Sequence, residues 1–250
     1  MAGAAVLGRL TWLLAEVVEI APETPRVKSL VFAVPGWSGH RPGQHVDVRL
    51  TAEDGYQAQR SYSIAAPAYG ERVVLTVERL EDGEVSSFLV DDLLVGERIE
   101  LRGPIGGYFV WDGADGAPVQ LVAGGSGIVP LMAMLRHRAG LASAGPAALV
   151  HSARTETDLI YREELDRLAG GDGDLRVAYT LTREQPPGWT GYGRRIDADM
   201  LGEVLGGPDS AATAFVCGPT RFVEVAADAL VGLGYEAGRV RTERFGPSGR

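Results

Sequence analysis

Three glycines within four residues form the segment of this sequence best suited to bind a ligand. The run Gly124-Gly125-Ser126-Gly127 follows the apolar stretch Val119–Ala123 and precedes apolar residues at helical spacing. Glycines in such a turn let the backbone approach a pyrophosphate, and the free N–H groups at a helix N-terminus attract anions. The pattern ends at Pro130 as G-x-G-x-x-P, unlike the G-x-G-x-x-G of dinucleotide-binding folds. It predicts a nucleotide-binding turn, with a plain strand–helix turn as the alternative.

A second candidate motif, Arg60-Ser61-Tyr62-Ser63, lies in a stretch that reads as a strand. Alternation places Arg60 and Tyr62 on one face and both serines on the other. The planar guanidinium of an arginine matches phosphate oxygens, which lysine does less well. Standing alone, the motif fits equally well a surface arginine beside a half-buried tyrosine.

Several other chemistries are excluded by the sequence. No Lys-Ser or Lys-Thr pair follows the glycine run, which excludes a Walker loop, and G-x-S-x-G fails at Ile128. The single cysteine, Cys217, cannot form an intramolecular disulfide or a four-cysteine iron–sulfur cluster. The histidines are too scattered for a structural zinc site, and no metal ligand is predicted among His40, His45, His137 and His151.

Charge and hydropathy narrow the class of protein. The 250 residues carry 24 Lys and Arg against 33 Asp and Glu, a net charge of −9, which argues against a general nucleic-acid-binding protein. No run approaches the roughly 20 apolar residues that a membrane span requires. We therefore expect neither nucleic acid nor membrane as a partner, and a cytoplasmic location.

The first half of the chain has the pattern of an antiparallel β-barrel, with six short strands separated by turn residues. One helix, Ser86–Leu94, interrupts them, and Ser86 or Ser87 is its expected cap. This domain is assigned residues 1–112. The predicted strands are Glu16–Ile20, Val27–Val34, Gln44–Leu50, Arg60–Ala65, Arg72–Arg79 and Arg98–Arg102.

After the linker Asp112–Pro118, strands alternate with helices, which predicts an α/β domain over residues 113–250 with a five-stranded parallel sheet. The predicted strands are Val119–Ala123, Ala147–Ser152, Leu175–Thr182, Thr213–Cys217 and Arg239–Phe245. The predicted helices are one that follows the glycine run, then Asp158–Leu168, Ala198–Leu205 and Arg221–Gly232.

Five motifs occur in a fixed order along the chain. They are Arg60-Ser61-Tyr62-Ser63, Gly83 with Ser86-Ser87, Gly103-Pro104-Ile105-Gly106-Gly107, Gly124 to Pro130, and Cys217-Gly218-Pro219. From about Trp12 onward, this order and spacing resemble the ferredoxin–NADP reductase family, specifically the flavin reductase components of oxygenase systems without a fused iron–sulfur domain. The resemblance implies an NAD(P)H-dependent flavin oxidoreductase whose barrel binds FAD and whose parallel sheet binds the nicotinamide dinucleotide.

The resemblance also assigns flavin-binding roles. Arg60 would pair with the pyrophosphate, Tyr62 would stack on the isoalloxazine ring, and Ser63 would hydrogen-bond N5, the atom that receives hydride. A helix start beside this strand would bind the pyrophosphate as well, which fits FAD better than FMN with its single phosphate. The flavin-binding residues implied are Arg60, Ser61, Tyr62, Ser63, Gly83, Ser86 and Ser87.

On the dinucleotide side, the resemblance places the glycine run under the pyrophosphate and Cys217 beside the nicotinamide. The alternative for Cys217 is a small buried apolar residue at a strand end. The residues implied are Gly124, Gly125, Ser126, Gly127, Pro130, Cys217, Gly218 and Pro219.

The residue type at the end of the second parallel strand indicates whether NADPH or NADH is preferred. An acidic residue there favours the ribose diol of NADH, and an arginine favours the 2′-phosphate of NADPH. Arg154 is the candidate, with Arg162 from the following helix, so NADPH is expected and NADH remains possible. Arg162 has Glu163 and Glu164 beside it and also fits a solvated helix charge.

The end of the chain offers two further candidates. In the resembling family the last strand delivers residues to the flavin edge, which makes Glu243 a polar neighbour of the nicotinamide or a proton relay. A terminal aromatic would stack on the flavin, yet Phe245 is followed by five residues. Stacking on the flavin and packing against the sheet end are therefore both open for Phe245.

The resemblance implies a separate ferredoxin or similar small iron–sulfur protein as electron acceptor. A local basic patch, with Arg26, Lys28 and Arg41 as candidates, would offset repulsion between two acidic proteins. One alternative is a reductase of free flavin or another small acceptor. Another is a non-catalytic, redox-sensing regulator on the same two-domain scaffold.

Overall fold

Alternating apolar residues in the first half form a six-stranded antiparallel sheet in the computed structural model, which describes residues 10–142, 144–207 and 211–246. Its strands are β1 (Trp12–Thr24), β2 (Val27–Ala33), β3 (His45–Thr51), β4 (Gln57–Ser63), β5 (Arg72–Glu78) and β6 (Arg98–Ile105). They lie in the order β4-β3-β6-β1-β2-β5.

The two edge strands of this sheet meet and close it into the predicted barrel. Ile64, directly after β4, forms a bridge with Leu75 of β5. The N–H of Ala65 donates to the carbonyl of Val74 at 2.8 Å. Inward-facing side chains such as Leu30, Phe32 and Leu75 fill the interior.

A short helix, α1 (Glu84–Ser87), follows β5 and continues as one π-helical turn over Phe88–Asp92. The prediction that Ser86 or Ser87 caps it is wrong, because the cap residue is Gly83 and no side chain caps the helix. The turn is tight: a Cβ on Gly83 would lie 2.3 Å from the Ser86 hydroxyl oxygen. Ser86 instead lies inside the helix and donates back to the carbonyl of Gly83 at 3.1 Å.

The second half forms the predicted five-stranded parallel sheet, in the order β11-β10-β7-β8-β9. Its strands are β7 (Val119–Gly124), β8 (Ala147–Ala153), β9 (Leu175–Leu181), β10 (Thr213–Pro219) and β11 (Val240–Phe245). Its helices are α2 (Ile128–Ala139), α3 (Arg162–Gly171), α4 (Ala198–Leu205) and α5 (Thr220–Gly232). Among the described residues, no helix has the length and apolar character needed to cross a membrane.

Helix α3 begins later than predicted. Residues Glu156–Asp158 form a separate 3-10 turn, capped by hydrogen bonds exchanged between Thr155 and Asp158. The chain then turns at Tyr161, whose φ is 61°, before α3 starts at Arg162. The helical spacing of the sequence does not show this interruption.

Strand β5 joins the two halves because its side chains alternate. Val73, Leu75 and Val77 lie in the barrel interior. On the other face, Val74 packs against the apolar cluster of the second half. The next two residues on that face, Thr76 and Glu78, form hydrogen bonds with residues of the second half.

Candidate cofactor-binding site

The direction in which successive strands are added to the parallel sheet reverses between β7 and β10. From β7 the chain crosses through α2 to β8 on one side, and from β10 it crosses through α5 to β11 on the other. Ligands of open α/β sheets bind in the crevice outside the carboxyl ends of the strands at such a point. The glycine run follows β7 here, and Cys217-Gly218-Pro219 ends β10, so the two predicted motifs converge.

Close backbone packing explains the glycines of this crevice. A Cβ on Gly127 would lie 2.1 Å from the carbonyl oxygen of Cys217. A Cβ on Gly124 would lie 2.8 Å from the ring of Phe222, and one on Gly218 would meet the same ring at 2.8 Å. Gly125 differs: its φ is +55° and nothing lies within 4 Å of the Cβ position. The tight glycines hold β7 against β10, and the space beside Gly125 is open, as binding of a pyrophosphate there would require.

Cys217 and Glu243 lie side by side at the carboxyl ends of β10 and β11. Cys217 is 1% exposed, and burial, with the nearby Glu243 charge, raises the pKa of its thiol. Burial also raises the pKa of Glu243 to about 7. Its Oε2 atom is buried and has no hydrogen-bond partner among the described residues. A neutral thiol therefore adjoins a carboxyl group that holds a proton near neutral pH.

Strand β4 presents Arg60 and Tyr62 on one face, as alternation predicts. Arg60 is exposed and forms no ion pair among the described residues. Tyr62 is half-buried against the barrel core, and burial raises the pKa of its hydroxyl while the charge of Arg60 lowers it. The two side chains are therefore close, and the guanidinium is available for an anion.

The serines of the strand motif differ from one another. The Ser61 hydroxyl donates to Asp47 Oδ1 at 2.7 Å across to β3, so it supports the sheet. Ser63 is half-buried opposite His45, and its hydroxyl has no hydrogen-bond partner among the described residues. Of the two, Ser63 is the one free to contact a flavin.

The hydroxyl groups at the start of α1 are already engaged. Ser86 is buried and donates to Gly83, and the Ser87 hydroxyl donates to the carbonyl of Leu80 at 3.2 Å. An anion at this helix start would therefore meet backbone N–H groups and Arg60 rather than serine hydroxyls. Helix α1 lies against β4, which brings both to one side of the barrel.

The structure distinguishes the two arginines predicted to bind the 2′-phosphate. Arg154 is exposed just after β8 and forms no ion pair among the described residues. Arg162 forms ion pairs with Glu156 and Asp166 and stacks 5.5 Å from the ring centre of Trp189. Its charge is already compensated, which weakens its candidacy.

Sequence reasoning missed Arg183. It follows β9, is exposed, and its backbone N–H donates to the carbonyl of Arg154 at 3.0 Å. The carboxyl ends of neighbouring parallel strands lie at the same sheet edge, so an arginine just after the predicted strand Leu175–Thr182 was a usable signal. Arg154 and Arg183 thus lie at the same edge of the sheet with their backbones hydrogen-bonded, and neither forms an ion pair among the described residues.

The remaining predicted residues are less well placed. Phe245 is 37% exposed opposite Pro219 and makes no ring contact among the described residues. Two of the three candidate cations of a docking patch are already engaged within the barrel half. Arg26 forms an ion pair with Glu81 at 3.8 Å. Lys28 also donates to the carbonyl of Val90.

Two family matches divide the chain as the fold does. Residues 14–110 match the oxidoreductase FAD-binding domain, and residues 121–228 match the oxidoreductase NAD-binding domain. The FAD/NAD-binding domain of Vibrio cholerae nitric oxide dioxygenase superposes on this chain with a TM-score of 0.83. The two are 24% identical, and the match covers 94% of this chain and 99% of that one. At that identity the superposition shows the fold alone.

Curated relatives identify the family. The chain is 32% identical to the glycine betaine monooxygenase reductase subunit of Chromohalobacter salexigens over 92% of this chain, and spans 63% of that relative's length. It is 34% identical to ferredoxin–NADP reductase B of Sorangium cellulosum over 92% of this chain and 96% of the relative. With its FAD-binding barrel and NAD-binding sheet, the chain belongs to the ferredoxin–NADP reductase family.

Proposed function

We propose that this protein is a flavoprotein reductase that passes electrons from NADPH through FAD to a separate ferredoxin-type iron–sulfur protein serving an oxygenase. One observation carries the proposal: the crevice at β7 and β10 is fixed against the flavin half. Ser126 of the glycine run donates to Glu78 Oε2 of β5 at 2.7 Å. The dinucleotide turn and the FAD-binding barrel therefore touch.

The residues of the barrel fit FAD. Arg60 and the N–H groups at the start of α1 would hold the pyrophosphate, and Tyr62 would supply a ring surface for the isoalloxazine. The free hydroxyl of Ser63 would hydrogen-bond the ring edge. When bound, the flavin supplies the chemistry, accepting a hydride and releasing electrons one at a time.

The nicotinamide end is proposed to lie at Cys217 and Glu243. The unpartnered, buried Oε2 of Glu243 fits a polar group of the dinucleotide such as a carboxamide. Because its pKa is about 7, Glu243 would donate a hydrogen bond in its protonated form and accept one when ionised. Cys217 would present a small neutral thiol that lets the pyridine ring approach.

We propose NADPH as the preferred dinucleotide because Arg154 and Arg183 lie together without carboxylate partners among the described residues. The 2′-phosphate of NADPH would contact both guanidinium groups there, whereas the uncharged ribose diol of NADH would not pair with them. The name ferredoxin–NADP reductase B of one relative supports the same choice.

The electron acceptor is inferred from relatives. The glycine betaine and propane monooxygenase relatives are described as reductase subunits or components. A Mycobacterium tuberculosis relative is described as the ferredoxin reductase component of a 3-ketosteroid monooxygenase. We infer a comparable acceptor for this chain, in the cytoplasm.

A two-step assay tests the proposal. The purified protein should be yellow, and NADPH added without oxygen should bleach the visible flavin absorbance. Reduction of cytochrome c should then require an added ferredoxin. Rapid reduction of free flavin without ferredoxin would instead indicate a small-acceptor reductase. A protein that takes up FAD but is not bleached would indicate a redox-sensing regulator.

A further inference from the structure

The backbone at Tyr161 is unusual. Among the described residues, it is the one non-glycine residue with positive φ, at 61°. It is 4% exposed and immediately precedes α3. A side chain in this left-handed conformation is strained and persists only where the surroundings hold it, often at functional positions.

The hydroxyl of Tyr161 is held by the other half of the molecule. It donates to Oγ1 of Thr76, which lies on the outer face of β5. Thr76 Oγ1 lies 2.7 Å from the hydroxyl of Ser29, and Ser29 donates to Glu23 Oε1 at 2.5 Å. Burial raises the pKa of Tyr161 to about 12, so its hydroxyl keeps its proton at ordinary pH.

Arg136 of α2 forms a second link beside the first. Its guanidinium lies 4.7 Å from the centre of the Tyr161 ring and binds both carboxylate oxygens of Glu164, at 2.9 and 2.6 Å. A further N–H reaches across to the barrel and donates to the carbonyl of Ala65 at 2.7 Å. One arginine thus joins the tyrosine, α3 and the barrel.

The Arg136 link connects the two cofactor-binding segments. Helix α2, which carries Arg136 in its last turn, begins directly after the glycine run. Ala65, which accepts from Arg136, follows Ser63 of the flavin motif by two residues. A shift of the hydrogen bond between Arg136 and Ala65 would therefore move the glycine run relative to the end of β4, which carries the proposed flavin-binding residues.

We propose that Tyr161 and Arg136 are positioning residues that set the separation of the two cofactor-binding domains for hydride transfer. The inference rests on the proposed function. Hydride transfer requires reacting atoms roughly 3–3.5 Å apart, and a displacement of about 1 Å can cost about a hundredfold in rate. Neither residue needs to contact a cofactor to control that separation.

Single-turnover reduction of the FAD-bound protein by NADPH tests the proposal. Tyr161→Phe keeps the ring and its contact with Arg136 but removes the hydroxyl bond to Thr76. We expect hydride transfer to slow by about tenfold, with FAD content and NADPH dissociation constant unchanged. Tyr179→Phe is the matched control, because its hydroxyl donates to Asp166 within one domain at 2.6 Å, and its hydride-transfer rate should equal that of wild type.

Arg136→Lys provides a second variant that keeps the charge. A lysine cannot hold both Glu164 oxygens and the Ala65 carbonyl at once, so the same selective slowing is expected. Wild-type hydride-transfer rates in both Tyr161→Phe and Arg136→Lys would overturn the proposal. So would a loss of NADPH affinity that accounts for all of the slowing.

Calorimetry of the cofactor-free protein separates this proposal from the proposed function. Wild type should unfold in one transition because the domains are coupled through the interface. In both variants this coupling should weaken and the transition should broaden, because Val74 and the hydrogen bond from Ser126 to Glu78 still join the halves, whereas Tyr179→Phe should keep the wild-type width. If wild type takes up no flavin, the proposed function fails, and wild-type widths in both variants would then overturn the positioning proposal as well.

Discussion

The two halves of the molecule form their binding surfaces in different ways. In the parallel-sheet half the backbone itself makes the site, because Gly124, Gly127 and Gly218 pack so closely that no side chain fits. In the barrel half the backbone of β4 is regular, and the proposed site consists of the side chains of Arg60 and Tyr62. Substitutions in the sheet crevice should therefore damage the fold, and those of the exposed Arg60 should change affinity alone.

The largest effect is expected for Gly127→Ala. The new Cβ would lie 2.1 Å from the carbonyl oxygen of Cys217, which is backbone and cannot rotate away. Separating β7 from β10 should lower the free energy of unfolding by about 3 kcal/mol or more. Urea denaturation measures this difference.

Two glycine variants serve as controls for that prediction. Gly125→Ala places its Cβ in open space at φ +55° and should cost about 1–2 kcal/mol. Gly170→Ala, inside α3 with nothing within 4 Å, should stabilise by about 0.5–1 kcal/mol. A Gly127→Ala protein as stable as Gly125→Ala would show that the crevice tolerates backbone separation, and the contrast between the halves would be lost.

Arg60→Ala tests the barrel side of the comparison. Arg60 is exposed without an ion pair among the described residues, so the urea midpoint should not change. Loss of a charged phosphate contact should weaken FAD binding by about tenfold to a hundredfold, measured by fluorescence titration of the cofactor-free protein. Arg60→Lys should restore only part of the affinity. Unchanged FAD affinity would remove Arg60 from the flavin site.

Arg154→Ala and Arg183→Ala should discriminate between the dinucleotides. Each should raise KM for NADPH by about tenfold, the value of one charge-assisted hydrogen bond, and hardly affect NADH. Arg162→Ala should affect both dinucleotides little, because its charge is compensated by Glu156 and Asp166. Equal losses with NADPH and NADH would contradict the assignment of the 2′-phosphate site.

The substitution Glu243→Gln should flatten a pH dependence of stability. Burial raises the pKa of Glu243 to about 7 from its ordinary 4.5, so the folded protein binds this proton more tightly than the unfolded chain. The contribution of this proton to the free energy of unfolding is complete below the unfolded-state pKa of 4.5. It falls as pH rises from there to about 7 and is constant above that. The wild type should therefore lose stability relative to Glu243→Gln between these two pH values, as urea midpoints would show. Parallel midpoints would place the pKa of Glu243 outside this range.

The division into barrel and sheet could be read from the sequence because each half keeps its own periodicity. Alternation failed for β1, which was predicted as Glu16–Ile20 and runs over Trp12–Thr24. Its pairing with β2 shifts register between Val17 and Glu19 and again between Pro22 and Thr24. Each shift interrupts the alternation on which the prediction depends.

Candidate site residues could be named from the sequence where they are consecutive in the chain, and not where distant segments meet. The glycine run and the strand motif are local, so their type and spacing suffice. Arg183 is included in the proposed 2′-phosphate site only because β9 lies beside β8, and the compensation of Arg162 depends on where Asp166 and Trp189 lie. The roles of Tyr161 and Thr76 arise from docking of the two halves, for which the sequence carries no periodic signal.

The strand order also bears on how the chain folds during synthesis. Strand β7 is made early, and one of its neighbours, β8, follows soon after, but the other, β10, begins only at Thr213. Until then one apolar edge of β7 lacks its partner while the barrel is already complete, a state prone to aggregation. A nascent chain would therefore complete its barrel before β10 is made, and the crevice between β7 and β10 would form only after Thr213 has been added.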